Sequence, residues 1–145
     1  MRIPWRELKE AEVEGLRQRR TGKVHPKNIS RLRKLLRQCR KDPDAQERIC
    51  YHGSVALLCE LDRDWPSAAK HRRVEISLIK KLYRLMAKEP LRMRLYATQN
   101  YRASDLRERC KILDQLKQAI TEQSASPNRR SPRRRAVQPP GKGGR

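Results

Sequence analysis

The stretch RDWPSAAKHRRVEISLIKKLY, residues 63–83, decides how the chain is read. Trp65, Ala68, Ala69, Ile76, Ile79, Leu82 and Tyr83 recur at helical spacing and form one apolar stripe; Val74, Leu78, Leu82 and Leu85 form a second. A helix with two stripes needs neighbours on two sides, so the sequence predicts a long helix central to an all-α fold, with Trp65, Ile76, Ile79 and Leu82 in the core. Lys70, Arg72, Arg73, Lys80 and Lys81 interrupt the stripes and give the same helix a cationic side.

Punctuation frames this helix. Asp64 is an N-capping residue, Pro66 stands in the first turn where its missing N–H costs nothing, and Lys88, Glu89 and Pro90 end it. The preceding helix is expected to be capped by Asp42, to open at Pro43 and to run to about Asp62. Ile49, Gly53, Ala56 and Cys59 mark one of its sides, and Cys50, Leu57, Leu58 and Leu61 another. Gly53 and Ala56 leave room for a neighbouring helix to approach closely.

Working outward, a first helix over about 4–19 carries Trp5, Leu8 and Leu16 and stops at Thr21 and Gly22. A second starts at Asn28 or Ser30 and ends near Arg40, with Ile29, Leu32, Leu36 and Cys39 on one face. A short helix is expected over 91–96. A final one starts at Ser104 or Asp105, with Glu108 placed to complete a capping box on Asp105, and continues through Leu106, Cys110, Leu113, Leu116 and Ile120.

Composition agrees with this all-α reading, a small bundle or set of antiparallel hairpins with four to five helices. The chain has no Phe and only five Val, at 13, 24, 55, 74 and 137, while Leu and Arg abound. Straight-chain residues lose little rotamer freedom in a helix and β-branched ones lose more. From Gln123 the pattern breaks: residues 123–145 hold seven basic residues, four Pro, three Gly and no acid. Such a segment cannot bury enough apolar area to offset ordering its backbone, so residues 1–122 are expected to form one helical domain, followed by a disordered basic tail.

The two central helices, over about 43–88, resemble a tetratricopeptide (TPR) hairpin, as a single unit over 49–82. Ala56 stands at the small position of its first helix, Asp64 and Trp65 at the turn, and Ala68 at the small position of the second. His52, Arg72 and Glu75 depart from the pattern: the first two replace aromatic residues and the third a small one. The resemblance implies a protein-binding scaffold, with His52, Lys70 and Arg72 on a concave groove.

Catalytic and metal chemistry find little support. In GLRQRRTGKV, six residues separate Gly15 from Gly22 where a phosphate loop needs four, and Val24 stands where Ser or Thr would hold magnesium. Cys50 and His52 lie about 200° apart around a helix and cannot converge with Cys59 on one metal ion. Irregularly spaced cysteines at 39, 50, 59 and 110 read as buried free thiols. His71 and Glu75 read as a surface pair one turn apart. No enzyme, cofactor or small-molecule substrate is expected.

Charge is the informative feature. Thirty-seven Lys and Arg face sixteen Asp and Glu, a formal charge of +21. Between Gly15 and Lys41 stand eleven basic residues and no acid. Uncompensated like charge repels itself, so a partner that supplies anions is the natural complement. The expected partner is nucleic acid, held through its phosphates by Arg31, Arg33, Lys34, Arg37, Arg40 and Lys41 of the second helix and by Arg129, Arg130, Arg133, Arg134 and Arg135 of the tail. The alternative is an adaptor that binds an acidic peptide or protein through the hairpin groove. Tyr96 and Tyr101 are candidates to stack on unpaired bases, with packing between helices as the plainer role. An N-terminus charged every few residues carries no signal-peptide pattern, and no apolar run is long enough to insert in a membrane, so the expected location is cytoplasmic, or nuclear in a eukaryote.

Overall fold

The structure, a computed structural model, describes residues 2–88 and 101–125. It is all-α: helices α1 (Trp5–Arg20), α2 (Pro26–Cys39), α3 (Ile49–Leu61), α4 (Trp65–Met86) and α5 (Ala103–Ala125), with a 3-10 turn at Ala45–Glu47 and no strand among the described residues. No described helix is long and apolar enough to cross a membrane. The expected short helix over 91–96 and the basic tail lie outside the described residues.

Helix α3 gathers three of the other helices around it. It packs against α1, α2 and α4, and every residue from Cys50 to Leu58 is buried. Its sequence explains this, since no charged side chain appears until Glu60. α4 packs against both α3 and α5, the two neighbours its two stripes predict, so α3 and α4 together form the centre of the fold. Of the second apolar stripe on α4, Val74, Leu78 and Leu82 are half-buried and Leu85 is exposed. Trp65 is half-buried as well, laid against a small core of Leu16, Ala68, Ala69, Ile112 and Leu116 where α1, α4 and α5 meet. A larger core joins Leu8 and Ala11 to Leu32, Leu36 and Cys39 and to Cys50, Tyr51, Val55, Leu57 and Leu58. Burial pushes the Cys39 thiol up to about 11 and the Cys50 thiol up to about 12, so both are protonated, inert core residues.

The turns show where local signals decided and where they lost. Gly22 takes a positive φ of 82° and closes the α1–α2 hairpin after Thr21, as its sequence predicts. Asp64 caps α4 by accepting from the Ser67 N–H at 3.3 Å. Three expected helix starts move. α2 opens at Pro26, because Asn28 is buried and donates its amide to the Ala11 carbonyl at 3.1 Å. α3 opens only at Ile49. Asp42 accepts instead from the Trp5 indole at 2.7 Å and the Asp44 N–H at 2.9 Å, and Arg48 is extended. α5 opens at Ala103: Asp105 accepts from the Arg102 N–H, and Glu108 pairs with Arg20 at 2.6 Å rather than closing a capping box.

Candidate nucleic-acid interface and the buried ion cluster

The apolar positions of α2 fix which of its sides faces water. Asn28, Leu32, Leu36 and Cys39 are buried against α1 and α3. At about 100° and 1.5 Å per residue, Arg31, Arg33, Lys34 and Arg37 then fall on the opposite half of the helix along about 9 Å of axis, and Arg40 and Lys41 follow its last residue. Arg31, Arg33, Lys34, Arg37, Arg40 and Lys41 are all exposed. Arg31 lies 3.8 Å from Glu10 and Arg33 lies 3.5 Å from Asp62, surface pairs that contribute little. No acid among the described residues lies within ion-pairing distance of Lys34, Arg37, Arg40 or Lys41. Arg129, Arg130, Arg133, Arg134, Arg135 and Tyr96 lie outside the described residues.

The groove expected from the hairpin is not a single surface. Lys70 is exposed, but Arg72 and His52 are interior. Arg72 donates to Glu75 Oε1 at 2.6 Å, and both side chains are fully buried. His52 Nδ1 lies 3.0 Å from Nδ1 of His71, and its Nε2 lies 2.7 Å from the Gln46 carbonyl. The expected His71–Glu75 surface pair is thereby replaced: His71 turns to His52, and Glu75 turns inward. Burial and the neighbouring His52, Lys70 and Arg40 hold the His71 imidazole below its ordinary range.

Glu75 belongs to a cluster that joins four helices. Its second carboxylate oxygen accepts from Arg109 Nε of α5 at 2.6 Å, and Arg109 Nη2 lies 3.9 Å from Glu12 Oε2 of α1. Glu12 lies beside Glu75 as well, and its Oε2 has no hydrogen-bond partner among the described residues. Both carboxylates crowd Gly53 of α3, where an added Cβ would stand 1.9 Å from Glu12 Oε2 and 2.7 Å from Glu75 Oε2. Burial, then the charge of Glu75, pushes the Glu12 carboxyl up to about 8, so near neutral pH it keeps a proton that it can share with Glu75. A buried charge is tolerated only when paired and hydrogen-bonded, which makes this set a structural clamp between α1, α4 and α5.

Sequence reasoning passed over this cluster. Its signal was present: Glu12 occupies a core position between Leu8 and Leu16, Glu75 one between Arg72 and Ile79, and Arg109 one beside Ile112. Opposite charges on the apolar stripes of different helices mark a buried network.

Comparison of the chain with family models, curated proteins and solved structures finds no match.

Proposed function

We propose that the chain is a non-enzymatic helical scaffold that binds nucleic acid along its sugar–phosphate backbone, through the exposed side of α2. One observation carries this reading: Lys34, Arg37, Arg40 and Lys41 share that side, and no described acid lies within 4.0 Å of their nitrogens. Exposed basic residues elsewhere are of both kinds: Lys70, Arg73, Lys80, Lys81 and Arg84 of α4 are also exposed with no described acid within ion-pairing distance, whereas others are answered. Arg17 pairs with Glu14, and Arg20 with Glu108 at 2.6 Å. Four unanswered cations within residues 34–41, two in the last turns of α2 and two just past its end, match a repeating anion better than a single carboxylate. Contacts of this type position a duplex or strand without reading its bases.

An acidic protein would exploit the same charges, so the test is a competition. The full chain, loaded with a labelled oligonucleotide, is challenged with poly-glutamate of equal total charge. Displacement by unlabelled oligonucleotide at much lower concentration than by poly-glutamate is the expected result. Equal displacement would move the reading to an acidic-protein adaptor.

A further inference from the structure

A cleft of about 620 Å³ opens beside Trp5, Arg6, Lys9, Arg48 and Tyr101, where the start of α1 meets the start of α3. It is unusual for this chain, in which aromatic residues make up only 4%. Two of them line one cleft at the surface, and each carries a cation over its ring: Arg48 stands 5.0 Å from the Trp5 ring centre, and Lys9 stands 5.0 Å from that of Tyr101. Both aromatic residues are half-buried.

From this arrangement we infer that the cleft receives an unpaired base of a single-stranded nucleic acid whose phosphates run along α2. The inference rests on the phosphate-binding reading given above and adds a preference for single strands. Aromatic rings and guanidinium planes are the surfaces on which unpaired bases stack, and a cation held over a ring adds to that attraction. Glu10 and Glu47 also border the cleft. Beside Arg6, Lys9 and Arg48 they give the cleft acceptors that suit the amino groups of a base edge, which a purely basic site would lack.

The cleft and the basic helix are physically joined. Trp5 donates its indole N–H to Asp42 at 2.7 Å, and Asp42 directly follows Lys41 at the end of α2. Glu10, on the cleft border, lies 3.8 Å from Arg31. Both contacts set the cleft next to α2, within reach of a strand that lies on that helix.

The test uses the full chain and three probes of equal phosphate count: a single-stranded oligonucleotide, the same backbone made abasic, and a duplex. In a Trp65→Phe background, Trp5 alone reports by fluorescence. The expected result is roughly five- to a hundredfold tighter binding of the ordinary strand than of the abasic one, with quenching of Trp5. Tyr101→Leu should bring that ratio toward one while leaving abasic affinity unchanged, and Tyr101→Phe should retain it. Equal affinity for ordinary and abasic strands would overturn the inference and leave the phosphate contact standing. No binding of any probe would overturn the phosphate reading itself, and this inference with it.

Discussion

Glu12 of α1 and Glu75 of α4 meet over the Cα of Gly53, their Oε2 atoms 1.9 and 2.7 Å from where a Cβ on Gly53 would sit. Two carboxyl groups this close do not both ionise, and Arg72 and Arg109 supply the cations that let one do so. The contact ties α1 and α4 together over the Gly53 face of α3, part of the frame on which the basic side of α2 is displayed.

This pairing makes stability depend on pH. Folded, Glu12 holds its proton up to about pH 8; unfolded, it releases it near 4.5. Folding therefore takes up a proton between those values. Its favourable contribution is full below about 4.5 and is lost as pH rises through 8, at up to about 1.4 kcal/mol per pH unit. Glu12→Gln mimics the neutral acid and removes this dependence. Urea unfolding of both proteins at pH 5, 6, 7 and 8 should show the stability difference shifting in favour of the variant as pH rises; a constant difference would contradict the account.

Gly53→Ala should destabilise by about 2–4 kcal/mol, because the new methyl drives a buried carboxyl from its partners. Combined with Glu12→Ala, the cost should be well below the sum of the two single changes. Thermal unfolding of the double-mutant cycle reads this directly, and additive costs would separate Gly53 from the cluster.

Glu75→Leu leaves Arg72 and Arg109 buried without their carboxylate and should cost about 3–5 kcal/mol. Adding Arg72→Met to Glu75→Leu should recover part of that loss, since one unpaired charge is removed. Chemical denaturation of the single and double variants makes the comparison.

Trp65→Ala should cost about 1–2 kcal/mol, below the 3–5 of a fully buried ring, because this indole only flanks the smaller core. Leu57→Ala, at a fully buried position of α3, should cost about 2–5 kcal/mol. If the two melting curves shifted in the reverse order, the placement of the core would be wrong.

The sequence and the structure agree where the signal is local. Gly22 ends a hairpin because the backbone there needs positive φ, and Asp64 caps α4 because Ser67 lies three residues on. The exposed side of α2 was equally legible, since one apolar stripe of a single helix orients everything else on it. What failed involved partners far along the chain. Asp42 did not cap a helix because Trp5, 37 residues earlier, takes its carboxylate. Glu75 did not face water because Arg109, 34 residues later, gives it an interior partner. Periodicity within one helix cannot tell a solvated charge from one paired to another helix. It did place α4 between two neighbours, α3 and α5, but not the run from Cys50 to Leu58, free of charged side chains, as the most completely buried stretch of the fold.

The central claim concerns the unanswered cations of α2. The most direct measurement is the salt dependence of oligonucleotide binding by the full chain, compared with a variant carrying Lys34→Gln, Arg37→Gln, Arg40→Gln and Lys41→Gln. The account predicts weaker binding at every salt concentration and a log–log slope shallower by about 3, as about four phosphate contacts are lost. A variant that keeps the affinity and slope of the original chain would contradict it and place the polyanion contact away from α2.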